Sequence, residues 1–174
     1  MFNRIGSDQR GGAAIEFAII APVAVLLYCG FAELTMAMMA ERRAAHVASV
    51  VADLVAQTPS VTSANVTDII NVGNSIMAPF PSAPLQLRVT SVIADVNGVP
   101  KVAWSQAHGL TALTNNATVS PFPANLLAAG DSVVMADVQY AFTSPLQMTL
   151  PHALTFRDTF YLKPRRSPTV TLSP

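Results

Sequence analysis

The hydrophobic pattern divides the chain early. A polar stretch, MFNRIGSDQR, gives way at residues 11–40 to GGAAIEFAIIAPVAVLLYCGFAELTMAMMA. A helix that crosses a bilayer needs about 20 mostly apolar residues, so this run is long enough to span. Glu16 interrupts it early. A carboxylate near the middle of a bilayer costs about 2.5–3.5 kcal/mol, and less at an edge, so Glu16 calls for a partner or an interfacial position. Beyond Ala40 the pattern becomes that of a helix with three faces. Val47, Val50, Val51, Leu54 and Val55 recur at the helical period. Arg42, His46, Ser49, Asp53 and Gln57 form a polar face. Ala40, Ala44, Ala48, Ala52 and Ala56 repeat at four-residue spacing. Pro59 disfavours helical geometry at Thr58 and ends the element there. One helix over residues 12–57 would be roughly 70 Å long at about 1.5 Å per residue. Its valine face is expected to dock on the rest of the chain. The alanine face is left for other helices, since small side chains allow close approach, or it reflects the high helix propensity of alanine.

The remainder reads as a small α+β domain. Val66, Ile69, Ile70, Ile76 and Met77 predict a short amphipathic helix from about Ser63, followed by a stiff linker at Pro79, Pro81 and Pro84. Leu85–Thr90 alternates as a strand, and Asn97-Gly98 is a hairpin signal. The return strand is predicted over Val99–Gln106. A third strand spans Asp131–Phe142, with Val134, Ala136, Val138, Tyr140 and Phe142 on one face, and a fourth spans Leu154–Leu162. Residues 110–130 read as a loop with one helical turn at Ala124–Ala129, and Trp104 is expected to pack within the hairpin. The predicted fold class is therefore α+β: a long N-terminal transmembrane helix that continues into a small antiparallel β domain.

Composition changes this picture little. Of 174 residues only 11% are charged, the formal net charge is zero, and mean hydropathy is +0.42. Nothing suggests a polyanionic partner, so no nucleic acid is expected. A lone Cys29 excludes an intramolecular disulfide. Arg4 and Arg10 against Asp8 make the leader net positive and place it in the cytoplasm. Arg42 and Arg43 argue for the opposite orientation.

Three fates of the N-terminus fit the residues. Gly30-Phe31-Ala32 offers the small residues of a secretory cleavage site, although the apolar run extends beyond a typical signal core. Cys29 would serve a lipoprotein, but Tyr28 is large where a small residue is needed. The third is a prepilin-like signal. Gly11, followed by Gly12-Ala13-Ala14-Ile15-Glu16-Phe17, resembles the processing site of Tad (tight adherence) prepilins: glycine, cut, four residues, glutamate, aromatic. With Pro22 and the apolar run, residues 10–43 are similar to TadE-like minor pseudopilins of the Tad/Flp type IV pilus system.

That resemblance implies a pilin-like plan and a set of roles. A prepilin peptidase would cut between Gly11 and Gly12. Glu16, with Phe17 beside it, would take part in helix assembly and recognition, its carboxylate meeting the new Gly12 amine of a neighbouring subunit. Alone, Glu16 could equally snorkel to the interface near the positive end of the helix dipole. Pro22 removes a backbone donor and is expected to kink the helix. The implied organisation is a cytoplasmic leader at 1–11, a transmembrane part at 12–40, an extracytoplasmic helix at 41–57 and an extracytoplasmic domain at 58–174. The implied partners are the prepilin peptidase, other pilin and pseudopilin subunits, the pilus assembly machinery and the lipid bilayer. The implied location is the bacterial inner membrane, single pass, with the C-terminal domain periplasmic and incorporation into the pilus. No catalytic residue, cofactor or metal site is expected: His46, His108 and His152 lack ligand spacing, and no phosphate loop is present. The alternative reading is a membrane-anchored periplasmic binding module with no pilus role.

Overall fold

The computed structural model describes residues 11–173. The leader at 1–10 lies outside the described residues. Helix α1 runs over Gly12–Ala56, followed by β1 (Ser60–Thr62), α2 (Ser63–Ile76), β2 (Leu85–Ala94), β3 (Pro100–His108), β4 (Ser132–Phe142), β5 (Leu154–Leu162) and β6 (Thr171–Ser173). The layout is the α+β one: a long apolar helix, then a small antiparallel sheet. Two compact units share the chain. One is the stretch up to Met38 with Thr143–Ala153; the other is Met39–Phe142 with Leu154 onward.

In the second unit β2, β3, β4 and β5 form an antiparallel sheet in the order β3-β2-β4-β5. Asp95 organises the hairpin turn by accepting hydrogen bonds from the Asn97 and Val99 amides at 2.8 and 2.9 Å. Gly98 takes a positive φ of 77° there, a conformation open to glycine without strain. Val134, Ala136, Val138, Tyr140 and Phe142 are buried on one face of the sheet, as the alternation predicts. The opposite face is covered too. Val92, Val102, Val119, Val133 and Met135 form a cluster against which Leu113, Phe122, Leu127 and Tyr161 pack. Those partners come from the 110–130 loop and β5. The expected helical turn at Ala124–Ala129 is absent: the segment makes irregular turns, with Asn125 at φ 63°.

Helix α2 starts at Ser63 because Thr62 caps it. The Thr62 hydroxyl accepts from the Asn65 amide at 3.1 Å, and Asn65 Oδ1 accepts from the Thr62 amide at 3.1 Å. This reciprocal box satisfies two donors that the first turn would otherwise strand. The outer part of α1 corrects one expectation. Ala40, Ala44, Ala48, Ala52 and Ala56 are as fully buried as Val47, Val51 and Val55, whereas Val50 and Leu54 are only half-buried. The alanine ladder is therefore consumed within the chain and is not a free face. Small side chains are what let other segments approach. Val47 shows how tight the packing is: a Cβ added to Gly73 of α2 would lie 2.9 Å from Val47 Cγ1.

The C-terminal tail is tied down more than a solvated end would be. Residues 60–62 and 171–173 pair in parallel as β1 and β6. Trp104 is buried and donates from Nε1 to the Val170 carbonyl at 2.7 Å, so it anchors the tail and not only its own hairpin. The Arg165 amide donates to the Ala56 carbonyl at 2.9 Å, and Arg165 Nη2 lies 2.7 Å from Asp53 Oδ1. Lys163 pairs with Asp131 at 2.9 Å. The Lys163 hydrogen bond, then the Ala128 amide, hold the Asp131 carboxyl below its usual range. A depressed carboxyl stabilises the fold above the unfolded value, about 3.9, and the contribution disappears as pH falls through the folded value. Both groups are solvent-exposed, which keeps that contribution small.

Candidate functional site

Helix α1 begins within the glycine–glutamate motif. Gly12 opens the α-helix, and Gly11 lies just before it. Both are exposed, and a Cβ added to either would meet nothing within 4 Å. Packing inside the protein therefore gives no reason for glycine at these positions. Glu16 is exposed one turn into the helix, and Phe17 beside it is 72% exposed. Among the described residues Glu16 forms no ion pair. The helical assignment runs unbroken through Pro22.

From Ile15 to Tyr28 the large apolar side chains are exposed on every side of the helix: Ile15, Phe17, Ile19, Ile20, Val23, Val25, Leu26, Leu27 and Tyr28. A helix that is hydrophobic all round is either buried in protein or in a membrane. Among the described residues none covers this stretch, and α1 is long and apolar enough to cross a bilayer.

The apolar run carries a second acid, Glu33, which the reading centred on Glu16 passed over. Glu33 is fully buried. Its Oε1 accepts from Ser144 Oγ at 2.9 Å and from the Met148 amide at 2.8 Å. Its Oε2 accepts from the Thr149 and Leu150 amides, each at 2.8 Å, and from the Thr149 hydroxyl. Three successive backbone N–H groups aimed at one carboxylate make an anion-binding concavity of the kind called a nest. Here the anion is supplied by the protein's own helix. Ser144 extends the arrangement, since its Oγ also accepts from the Leu146 and Gln147 amides at 3.2 and 3.4 Å. Gly30, one turn before Glu33, leaves room for Thr149: an added Cβ would stand 3.3 Å from Thr149 Cγ2. Glu33 and the 143–153 loop belong to one compact unit. The clamp holds a loop to a helix.

In the other unit a cavity of about 570 Å³ lies over the sheet, lined among others by Arg88, Leu113, Met135, Asp137, Arg157 and Tyr161. Its central charges satisfy one another. Arg88 donates to Asp137 from Nε at 2.9 Å and from Nη2 at 2.8 Å, and Arg88 Nη1 donates to the Thr111 carbonyl. The Thr159 hydroxyl donates to Asp137 at 2.7 Å. Asp131 and Asp137 pair with different cations, and Asp158 accepts from the Thr159 amide. Among the described residues no group of three or more His, Cys, Asp or Glu is placed to hold a metal ion.

Comparison with known families bears on α1 alone. Residues 11–53 match the family model for TadE-like proteins. That segment is similar to TadE-like proteins. The match begins at Gly11 and takes in Glu16, Phe17, Pro22 and Glu33; it covers about a quarter of the chain and stops before the sheet. No curated protein and no solved structure matches the chain. The TadE-like match supports a protein associated with a Tad/Flp pilus, and the candidate span fits a single-pass membrane protein. The TadE-like segment thus coincides with the exposed apolar helix, the glycine pair and both acids. The cavity and the β-sheet lie outside it, apart from the α1 residues that pack in their unit.

Proposed function

We propose that the chain is a minor pseudopilin, matured by a prepilin peptidase between Gly11 and Gly12, that assembles with other pilin subunits through α1. It acts by helix packing and not by catalysis. The observation that carries this reading is the TadE-like match to a helix whose first turns are exposed on all sides and bear one exposed acid. Gly11 and Gly12 have no packing role, which is consistent with a requirement set by an outside enzyme. Cutting there exposes an α-amine four residues before Glu16. That amine is largely protonated near neutral pH, and in a bundle it pairs with Glu16 of a neighbour, offsetting the cost of both charges in lipid. Pro22 bends or loosens the helix just beyond.

In this reading the leader is cytoplasmic and the sheet is on the periplasmic side of the bacterial inner membrane. The span is shorter than residues 12–40. Glu33 and Ala37 are covered by protein, and residues 12–32 already match a hydrocarbon core of about 30 Å at about 1.5 Å per residue.

The test is Glu16→Ala in the native host. Removing the acid should leave processing intact and ease membrane insertion, since an apolar residue replaces a costly one. Crosslinks between helix N-termini should be lost. Normal crosslinking and piliation would show that Glu16 only snorkels, and loss of processing would assign it to peptidase recognition. A second reading, a membrane-anchored binding module, has the 570 Å³ cavity in its favour, because that volume falls in the range of small-molecule sites. On that reading Glu16→Ala changes neither crosslinking nor surface attachment.

A further inference from the structure

We propose that the 143–153 loop is a second membrane-contacting element, which lays Leu146 and Met148 into the outer interface of the bilayer that α1 crosses. The proposal rests on the reading of α1 as a transmembrane span. Leu146 is 46% and Met148 53% exposed, and they belong to the same compact unit as the exposed apolar helix. On that helix Phe31 and Leu34 are also exposed, next in sequence to Gly30 and Glu33, where the loop meets it.

Position along the helix fixes the depth. The loop meets α1 at Gly30 and Glu33. Glu33 stands about 32 Å from Gly12 at about 1.5 Å per residue, which is the thickness of the hydrocarbon core. With Gly12 at one edge of that core, the loop sits at the other.

The backbone chemistry permits this. Irregular backbone is excluded from lipid because its N–H groups would go unpaired. In this loop the five successive amides from Leu146 to Leu150 all have acceptors: the first two in Ser144 Oγ, the last three in Glu33. The same bonds satisfy a carboxylate that would otherwise be costly at the membrane edge. The side chains that remain exposed at Leu146 and Met148 are apolar. Lipid acyl chains just below the headgroups suit both, and the loop would then set how far the span sinks.

The experiment places nitroxide labels in the full chain, reconstituted in phosphatidylethanolamine–phosphatidylglycerol liposomes, on a Cys29→Ala background. Leu146→Cys and Met148→Cys report the loop. Ile20→Cys reports the span, and Val96→Cys, at a position 91% exposed in the hairpin turn, reports water. Relaxation by oxygen, which concentrates in lipid, is compared with relaxation by a water-soluble nickel chelate. The expected result is a ratio of oxygen to nickel accessibility at residues 146 and 148 several-fold above that at 96 and below that at 20. A lipid signal at 20 with a water signal at 146 and 148 would overturn the loop proposal and leave the span standing. A water signal at 20 would overturn both. Protection of 146 and 148 from both reagents would mean that a second copy of the protein covers them, and would also overturn the proposal.

Discussion

Glu33→Leu releases the 143–153 loop from α1. The substitution keeps side-chain bulk but removes the acceptor for five donors: the Ser144 and Thr149 hydroxyls and the Met148, Thr149 and Leu150 amides. Hydrogen bonds to an ionised group are among the stronger kinds, and a buried donor left unpaired carries its full desolvation cost. Hydrogen exchange at Met148, Thr149 and Leu150 should accelerate by about tenfold to a hundredfold, the factor for losing one or two such bonds. Limited proteolysis should cut first within 143–153. Membrane insertion should be undiminished, because leucine suits lipid better than a carboxylate. Glu33→Gln keeps one carbonyl acceptor and should fall between the two. Unchanged exchange at all three amides in Glu33→Leu would refute the clamp.

The clamp was the part of the site least legible in the sequence, and the reason is physical. Glu16 stands out because it lies about one turn after a glycine pair, in a local pattern that resembles a processing site once the apolar run and Pro22 are read with it. Glu33 gains its meaning only from residues more than a hundred positions away, brought to it by a loop whose polar signals, Ser144 and Thr149, are ordinary. A second acid in a run otherwise fit for lipid was the available hint. Elements with a strong period were legible: α2, whose start is set by Thr62 and Asn65, and β4, whose alternation from Val134 to Phe142 marks a buried face. The alanine ladder was misassigned because four-residue spacing says which residues share a face but not what covers it. The β1–β6 pair has only three residues on each strand, too few for any period to register. The 110–130 loop hides its role for the same reason: Leu113, Phe122 and Leu127 cover a sheet face from irregular backbone, where no spacing links them.

Gly11→Val blocks maturation without disturbing the fold. A side chain at residue 11 meets nothing within 4 Å, so thermal stability of the purified protein should be unchanged. In the proposed peptidase site it stands beside the bond to be cut, where glycine allows close backbone approach. Misplacing a scissile bond by about 1 Å costs on the order of a hundredfold in rate. The full-length chain should therefore accumulate in the membrane and be missing from sheared pili. Normal processing with normal stability would show that the peptidase does not read this glycine, and Ala at the same position should retain more processing than Val.

The intact mass of the wild-type protein extracted from its native membrane tests the central proposal most directly. Maturation at the glycine pair leaves a chain that lacks residues 1–11 and begins at Gly12, with the apolar span, Glu16 and the Glu33 clamp all retained. A chain that begins at Glu33 would identify an ordinary signal sequence ending at Ala32, remove the span, and contradict the pseudopilin reading; a chain that keeps residues 1–11 would contradict maturation by a prepilin peptidase.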